Sequence, residues 1–262
     1  MKTVVITIPC GRDAQVKQQV TLDEVSAGYA GRTVLSRFSA RIPGSATTAV
    51  VGPNGSGKST LLGVLAGVIP VRAGTVTHRT STRPALVAQR STVSDALPVT
   101  VRDTVTMGRW ERLGLLGRMS SRDRSVVEAC MDRLGIGELA ERRLGELSGG
   151  QRQRALVAQG LAQEADLLLL DEPTAGLDPE AQRLITEVLG EAAAEGATVV
   201  HVTHDLAAAG RADHCLLLHA GRPVGDGPPH EVLTGEALER VGELPRQTRP
   251  PAVGEQVDAP RG

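Results

Sequence analysis

The sequence predicts an α/β fold with a parallel central sheet and a helical segment inserted into it. A glycine-rich loop joins an apolar, strand-like run, Ala46 to Val51, to residues with helical spacing. A run of leucines at 167–170 ends in two carboxylates, and leucine along a whole strand indicates burial on both faces of a parallel sheet. Between residues 90 and 145 the strand signals give way to helical spacing.

Short strands separated by polar, glycine-containing turns are predicted near the start of the chain, at Val4–Ile8, Gln19–Val25 and Val34–Ile42. Tyr29 lies in the turn predicted at 27–31. Its ring can serve as a packing residue or as an aromatic face on which a purine stacks, and the local sequence favours neither.

The stretch from Gly52 to Thr60, GPNGSGKST, fits the phosphate-loop pattern of Gly, four residues, Gly, Lys and Ser. Glycines let backbone N–H groups surround phosphate oxygens, and the following helix directs its positive dipole at the same anion. In such a loop Lys58 reaches the β- and γ-phosphates, and the Ser59 hydroxyl ligates Mg²⁺. An ordinary glycine-rich turn is the alternative, but the flanking strand and helix patterns favour the phosphate loop.

The helix after this loop is expected to end at Gly67 and Pro70, and short strands are predicted at Gly74–Thr77 and Leu86–Gln89. Gln89 would then lie at the carboxyl edge of the sheet, where ligands bind in open α/β sheets. A loop glutamine without a role is the alternative.

Two helices are predicted in the inserted segment, at Val101–Arg109 and Ser125–Leu134, with Asp123 opening the second and Gly135 closing it. Trp110 lies between them. It can pack in the core as a structural residue, whereas an exposed tryptophan would indicate a protein contact.

Ser148 and Gln151 have the spacing of a capping box, which opens a helix that runs to about Ala162. Gly149 and Gly150 at the same helix start are typical of an anion site. Capping alone does not distinguish a simply capped helix from one that binds an anion.

Asp171 and Glu172 end the leucine-rich strand. Paired carboxylates at a strand end beside a phosphate loop suit Mg²⁺ binding and activation of water, and surface acids without a role are the alternative. A further helix is predicted from Asp178, its N-cap, and Pro179 in its first turn, to about Glu195.

A strand at Thr198–Thr203 precedes His204, which lies at a strand end where an imidazole can donate to a phosphate. Strand alternation argues against a metal pair formed by His201 and His204. Four further segments are predicted, namely a strand at Cys215–His219, a turn at 221–229, a helix at Glu231–Val241 and a disordered tail at 245–262.

The composition limits the class of protein. A net charge of −1 gives no basic surface for nucleic acid, and the 40% hydrophobic and 23% charged fractions are those of a soluble globular protein. No apolar run approaches the roughly 18 residues of a membrane span. Three widely separated cysteines predict free thiols in a reducing compartment. The chain is therefore expected in the cytoplasm, where a partner can hold it on a membrane.

Together these motifs resemble the ATP-binding cassettes of the ABC ATPases, over about residues 19–235. GPNGSGKST resembles the Walker A motif, LSGGQ at 147–151 the signature motif, LLLLDE ending at Glu172 the Walker B motif, and AGLD at 175–178 the D-loop. Gln89 falls at the Q-loop, His204 at the switch histidine and Tyr29 at the aromatic A-loop. The order of phosphate loop, LSGGQ and Walker B makes the resemblance very specific.

The resemblance implies a RecA-like P-loop NTPase domain at residues 1–244, with an N-terminal antiparallel β subdomain and an α-helical subdomain at about 90–162. It implies ATP and Mg²⁺ as cofactors. The catalytic residues would be Glu172, His204, Gln89 and Lys58, and the Mg²⁺ ligands would be Ser59, Gln89 and Asp171. The residues that bind ATP would be Tyr29, Gly52, Pro53, Asn54, Gly55, Ser56, Gly57, Lys58, Ser59, Thr60, Ser148, Gly149, Gly150, Gln151 and Asp178.

In this family two cassettes pack head to tail, and each ATP lies between the Walker A motif of one and the signature motif of the other. For this chain the resemblance implies a homodimer on the cytoplasmic face of the cell membrane. It also implies an integral membrane permease, which contacts the helical subdomain, and an extracytoplasmic substrate-binding protein that acts through the permease. No nucleic acid is expected as a partner.

The stretch from Leu97 to Arg109 resembles metal and metal-chelate importers, and most of all the zinc/manganese-type importer ATPases of actinobacteria. Uptake of zinc or manganese is the expected function, and ferric-siderophore or cobalamin uptake is the alternative. A soluble ABC ATPase acting on DNA or ribosomes usually carries two cassettes or a long coiled coil, which this sequence lacks. The presence of Lys58, Asp171, Glu172 and His204 argues against a cassette that does not hydrolyse ATP.

Overall fold

The computed structural model describes residues 18–80, 82–87, 98–114 and 117–242. Within these ranges the chain has the predicted α/β architecture, with a six-stranded sheet, a three-stranded sheet and helices on both faces of the larger sheet. The strand predicted at Val4–Ile8 and the tail predicted at 245–262 lie outside the described residues. The boundaries proposed at 1–244 and about 90–162 stay predictions.

Helices and strands alternate between residues 149 and 219, as expected for a fold of this class. In chain order the strands are β1 (Gln18–Tyr29), β2 (Arg32–Pro43), β3 (Thr47–Val51), β4 (Val71–His78), β5 (Ala85–Val87), β6 (Leu167–Asp171), β7 (Thr198–Val202), β8 (His214–His219) and β9 (Arg222–Gly227). The helices are α1 (Lys58–Leu65), α2 (Val101–Met107), α3 (Trp110–Leu113), α4 (Ser121–Arg133), α5 (Gly149–Leu161), α6 (Pro179–Ala194), α7 (Leu206–Ala209), α8 (Pro229–Val232) and α9 (Gly235–Val241).

The smaller sheet is antiparallel, with the strand order β2-β1-β4. β1 extends further than the sequence predicts, because Tyr29 pairs with Arg32 across the hairpin. The turn predicted at 27–31 is therefore limited to Ala30 and Gly31. Tyr29 lies at the end of a strand rather than inside a turn.

The larger sheet has the order β5-β6-β7-β3-β8-β9 and is parallel except for β9. The carboxyl ends of β3, β6 and β7 therefore meet at one edge. The turn predicted at 221–229 is wrong, since Arg222–Gly227 forms a strand that pairs with β8. Pro223 is tolerated there because β9 is an edge strand, which does not need every N–H for a ladder.

Two hydrophobic cores cover the faces of the larger sheet, and the leucines of β6 alternate between them. Leu167 and Leu169 belong to the core that contains the apolar residues of α1. Leu168 and Leu170 belong to the core that contains those of α5. The helices α1 and α5 therefore pack on opposite faces of β6, as the uninterrupted leucine run predicts. A third core joins α7, α8 and α9 to β3 and β8.

The segment that carries α2 to α5 is helical in the residues described between 98 and 162, apart from an isolated bridge between Thr100 and Arg143. The helix predicted at Ser125–Leu134 begins earlier, because Ser120 caps α4 in a capping box with Asp123. Of the two alternatives for Trp110, core packing does not apply, since 59% of this residue is exposed.

The remaining predictions concern caps, thiols and the last helix. Asp178 caps α6 with Pro179 in the first turn, as predicted. The helix predicted at Glu231–Val241 is divided into α8 and α9. Cys130 and Cys215 are buried free thiols. Among the described residues, no helix combines the length and apolar character needed to cross a bilayer.

Candidate functional site

The phosphate-loop motif joins β3 to α1 at the carboxyl edge of the larger sheet. Gly57 is the N-cap of α1 and has a φ of 109°, a left-handed conformation that glycine adopts without strain. A Cβ atom on Gly52 would lie 2.1 Å from the carbonyl oxygen of Leu218 in β8. The backbone path of the loop therefore depends on glycine at both positions.

Lys58 is the first residue of α1, and its side chain is buried against the loop. Its Nζ atom donates to the carbonyl oxygens of Gly52, at 2.5 Å, and of Pro53, at 3.0 Å. The ammonium thus connects the two ends of the loop. Ser56 Oγ is also buried here, with no hydrogen-bond partner among the described residues, so that the loop has a polar group for a ligand to satisfy.

Asp171 ends β6 next to the phosphate loop, and its carboxylate forms a hydrogen bond with the Ser59 hydroxyl. Partial burial raises the pKa of Asp171, while the Ser59 hydrogen bond and the Lys58 charge act in the opposite direction. A half-buried carboxylate of this kind is stabilised by a nearby cation.

Glu172 follows directly and adopts a left-handed backbone conformation with φ of 51°. Non-glycine residues in this region are uncommon and strained, and they cluster at functional sites. His204 follows β7, which pairs in parallel with β6. His204 Nε2 lies 2.6 Å from Glu172 Oε1, so the ends of the two strands are joined by a polar contact.

Tyr29 is 57% exposed, so its ring does not serve as a core packing residue. Its carbonyl oxygen accepts a hydrogen bond from Arg72 Nη2 of β4. Leu35 of β2 lies against the phosphate loop, with Cδ2 at 2.9 Å from the position of a Cβ atom on Gly57. The β1–β2 hairpin therefore both carries Tyr29 and supports the loop.

Ser148 caps α5 in the predicted capping box. Its Oγ accepts from Gln151 N at 3.3 Å, and Gln151 Oε1 accepts from Ser148 N at 3.0 Å. Gly149 and Gly150 are the first two residues of the helix, and Ser148 and Gly149 are exposed. The first-turn N–H groups of α5 are thus accessible to an anion.

Asp178 lies close to the start of α5. Its Oδ1 accepts from Ala181 N at 2.9 Å as the cap of α6. Its Oδ2 lies 3.7 Å from the position of a Cβ atom on Gly150. The starts of α5 and α6 therefore meet at one surface.

The structure gathers the candidate residues into two groups. The first contains the phosphate loop with Lys58, Ser59, Asp171, Glu172 and His204. The second contains Ser148, Gly149, Gly150, Gln151 and Asp178. Tyr29 is attached to the first group through the hairpin that supports the loop. Gln89 lies outside the described residues.

Sequence reasoning missed two arginines, one that contacts a candidate residue and one that is buried in the helical segment. Arg72 binds the Tyr29 carbonyl. Arg109 is fully buried between α3, α4 and α5. The Ser120–Asp123 spacing, a capping box, was the local signal that a structured helix start lay near Arg109.

The sequence profile of the ABC transporter family matches residues 35–175. The manganese transport system ATP-binding protein of Bacillus subtilis (strain 168) is 37% identical over 229 residues, which cover 85% of this chain and 91% of that protein. The ferric enterobactin transport ATP-binding protein of Escherichia coli (strain K12) is 38% identical over 232 residues, which cover 84% and 85%. A solved structure of a metal-chelate type ABC transporter in an inward-facing conformation has a TM-score of 0.78 and 30% identity, and the match covers 87% of this chain and 90% of that chain.

The chain therefore belongs to the ABC transporter family. It is an ATP-binding cassette that hydrolyses ATP. The predictions of family, fold and enzyme class are confirmed. The roles of the individual site residues stay predictions, and their geometry is the basis of the proposal that follows.

Proposed function

We propose that the chain powers the import of a metal ion, zinc or manganese, by hydrolysing ATP on the cytoplasmic face of a cell membrane. The observation that carries the hydrolysis step of this proposal is the 2.6 Å contact between His204 Nε2 and Glu172 Oε1 beside the phosphate loop, while the metal cargo is supported by the manganese transport relative. The contact provides a carboxylate that can accept a proton and an imidazole that orients it, next to a loop suited to phosphate.

ATP binds with its phosphates in the loop from Gly52 to Thr60, where backbone N–H groups contact the oxygens. Lys58 exchanges its bonds to the Gly52 and Pro53 carbonyls for bonds to the β- and γ-phosphates. Ser56 Oγ, which has no partner among the described residues, donates to a phosphate oxygen. The exposed ring of Tyr29 stacks on adenine.

Ser59 and Asp171, together with Gln89, are the residues that would hold Mg²⁺. The first two fit the ion, because Mg²⁺ prefers oxygen ligands and the Ser59 and Asp171 oxygens already meet in a hydrogen bond. Burial is the main cause of the raised pKa of the Asp171 carboxyl, and a nearby cation would lower this pKa again. Bound there, the ion would supply positive charge to the β- and γ-phosphate oxygens.

Glu172 orients a water molecule and accepts its proton while the water oxygen attacks the γ-phosphorus. The bond from the γ-phosphorus to the bridging oxygen breaks, and ADP and phosphate leave. Lys58 stabilises the negative charge on the phosphate oxygens as this bond breaks. His204 contacts the γ-phosphate and holds the Glu172 carboxylate in position, a role that their 2.6 Å contact supports.

A second copy of the chain, packed head to tail, completes each site. The support is that α1 and α5 pack on opposite faces of β6, which separates the phosphate loop from Ser148 of the same chain. Ser148, Gly149, Gly150 and Gln151 therefore contact ATP held by the other copy. Asp178, beside Gly150 at the same surface, links the two sites.

The proposed partners are an integral membrane permease and an extracytoplasmic substrate-binding protein that delivers cargo to it. The support is family membership, because the relatives are named as ATP-binding proteins of transport systems. A nucleic-acid partner has no support in the net charge of −1.

Ferric-siderophore uptake is a second candidate for the cargo. The enterobactin relative is 38% identical and the manganese relative 37%, so the identities do not separate the two cargo classes. In both cases this chain performs the same chemistry, and the cargo is selected by the permease and the binding protein.

The experiment that tests the proposal is transport. The chain is reconstituted in liposomes with its candidate permease and the matching binding protein, and ATP-dependent accumulation of labelled zinc, manganese and a ferric siderophore is followed. Accumulation of zinc or manganese that disappears with Glu172→Gln supports the proposal, and accumulation of the siderophore alone selects the second candidate. If no permease co-purifies with the chain, and the chain alone hydrolyses ATP without stimulation, a role in transport would be contradicted.

A further inference from the structure

Arg109 has the largest fully buried side chain in the described part of the protein, with no exposed surface. A buried guanidinium is strongly destabilising unless its N–H groups are paired. A fully buried arginine therefore needs specific hydrogen-bond partners. The identity of those partners shows which elements the arginine connects.

Every nitrogen of this guanidinium has a partner. Nε and Nη2 donate to Asp123 Oδ1, at 3.1 and 2.9 Å. Nη1 donates to the Ala162 carbonyl oxygen at 2.6 Å and to Glu164 Oε2 at 2.9 Å. The planar fork of arginine suits this arrangement, and lysine cannot reproduce it.

Arg109 and its partners connect three different helices. Arg109 is the N-cap of α3, Asp123 lies in the first turn of α4, and Ala162 is the C-cap of α5. Glu164, just beyond α5, also accepts from Arg112 Nη1 of α3 at 3.1 Å. One buried side chain thus joins the end of the helix that begins with Ser148 to α3 and α4.

The neighbouring backbone leaves little room for α3 to move independently of α5. A Cβ atom on Gly108 would lie 2.3 Å from the Gln159 carbonyl oxygen and 3.0 Å from Ala162 Cβ. The chain just before α3 is therefore in direct backbone contact with the last turn of α5, and a displacement of one displaces the other.

Trp110 follows Arg109 directly and is 59% exposed on α3. An exposed aromatic side chain thus directly follows a fully buried arginine, so a candidate contact surface and the residue that ties α3 to α4 and α5 are adjacent in sequence. Tryptophans of this kind are enriched where proteins meet partners.

We propose that Arg109 is a positioning residue that couples the Trp110 surface to Ser148 and Gly149 at the opposite end of α5. This rests on the proposed function, in which a membrane subunit acts on the helical segment and the start of α5 contacts ATP. α5 is 13 residues long, and a helix of that length is a rigid element of about 20 Å. A displacement imposed at Trp110 reaches the start of α5, and ATP bound at the start of α5 changes the surroundings of Trp110.

Trp110 is itself the reporter for this coupling, because it is the only tryptophan in the chain. The parent protein for the test is the Glu172→Gln variant, which is expected to hold ATP without turning it over. Its tryptophan emission is recorded while ATP and Mg²⁺ are added, and ATP affinity is measured separately by calorimetry. The parent should show an emission change that saturates with the same midpoint as ATP binding.

Arg109→Lys in this parent should abolish the emission change while ATP still binds. Glu164→Gln, at a residue with a 35% exposed side chain, keeps Arg109 and its bonds to Asp123 and Ala162 but weakens the contacts that Glu164 makes with Arg109 and Arg112, so it should reduce the change. The matched control is Arg133→Lys, because Arg133 also contacts two carboxylates, those of Glu191 and Glu195, but these belong to α6 and its C-cap. The control should keep the full emission change.

Two results would overturn the inference. The first is that Arg109→Lys and Glu164→Gln show the same change in tryptophan emission as the parent. The other is a parent that binds ATP with no change in Trp110 emission. If Arg109→Lys does not fold, as judged by circular dichroism, Glu164→Gln alone decides between these outcomes. A parent that binds no ATP would instead contradict the proposed function.

Discussion

Glu172 shows how backbone and chemistry are combined at a single position. Its left-handed φ of 51° follows a fully extended buried strand, and such a conformation costs about 1–3 kcal/mol in a non-glycine residue. The side chain of Glu172 also forms the 2.6 Å contact with His204. Sequence patterns put both residues at strand ends, but the contact depends on β6 and β7 being neighbours, which no local pattern reveals.

The exposure of Tyr29 leads to a prediction about nucleotide affinity. Tyr29→Ala should weaken ATP binding by about 1–2 kcal/mol, roughly 5- to 30-fold, because it removes the aromatic ring that we propose stacks on the base. Tyr29→Phe keeps the ring and should bind ATP almost as the wild type does. Calorimetry with ATP and with tripolyphosphate separates base from phosphate contacts. An equal loss for both ligands in Tyr29→Ala would contradict stacking.

His201 leads to a prediction about pH. It lines a cavity of about 40 Å³, and burial lowers its pKa from 6.5 to about 4. As the pH falls below 6.5 the unfolded chain takes up this proton before the folded chain does, so stability is lost between pH 6.5 and 4. From pH 7 to pH 5 the free energy of unfolding should fall by about 2 kcal/mol because of His201.

His201→Val should remove this part of the pH dependence. Urea unfolding at pH 7 and pH 5 measures it, as the difference between the free energies of unfolding. His230→Gln is the control, because the His230 side chain is 80% exposed and its surroundings change little on unfolding. If His201→Val and the wild type lose the same stability between the two pH values, burial of His201 is not the cause.

At the scale of elements, the cap of α4 leads to a prediction about stability. Ser120 Oγ accepts from Asp123 N at 3.2 Å and donates to Asp123 Oδ2 at 2.6 Å. Ser120→Ala should lower the free energy of unfolding by about 1 kcal/mol, as loss of an N-cap does. Ser121→Ala, one position later on the exposed helix surface, is the matched control and should change little.

The same cap has a pH dependence of known sign. The Ser120 hydrogen bonds, and then Arg109, hold the pKa of the Asp123 carboxyl well below its usual range. The stability that the ionised Asp123 carboxylate contributes is therefore present at neutral pH. This stability is lost only as the pH falls below the ordinary carboxyl range, about 4. The effect of Ser120→Ala, measured by urea unfolding, should shrink in strong acid. An effect that grows on acidification would contradict this assignment.

The elements that the sequence predicts best are those with strong local patterns. The leucine run of β6, the Ser148 capping box and the Asp178–Pro179 helix start are all in place, because burial and capping depend on residues close in sequence. β9 was missed because its glycines and proline resemble a turn, and only pairing with β8 makes it a strand. The exposure of Trp110 could not be decided from the sequence, because it depends on how α3 packs against helices far along the chain.

At the scale of the whole molecule, the sheet separates the two halves of the proposed ATP site. The phosphate loop leads into α1 on one face of β6, and Ser148 opens α5 on the other. The motifs could be recognised from the sequence, but their separation follows from sheet order and from the alternation of the leucines. This separation is the structural reason to expect that one chain is incomplete alone.

Dimer formation tests this expectation. With ATP and Mg²⁺, Glu172→Gln should elute as a dimer in size-exclusion chromatography with light scattering. Adding Ser148→Asp should abolish the dimer, because aspartate still caps α5 but sets a negative charge against the phosphates of the other copy. Ser148→Asn, a neutral cap, is the matched control and should still form the dimer. A dimer that tolerates Ser148→Asp equally well would contradict the head-to-tail arrangement.

The most direct test of the account is the hydrolysis rate of Glu172→Gln, measured together with its affinity for ATP. Lys58→Ala serves as the comparison, because it should lose nucleotide affinity itself. The account predicts that Glu172→Gln binds ATP like the wild type and hydrolyses it roughly 10²-fold or more slowly, the usual contribution of a positioned base. Near-wild-type hydrolysis by Glu172→Gln would contradict the assignment of Glu172, and with it the proposed catalytic site.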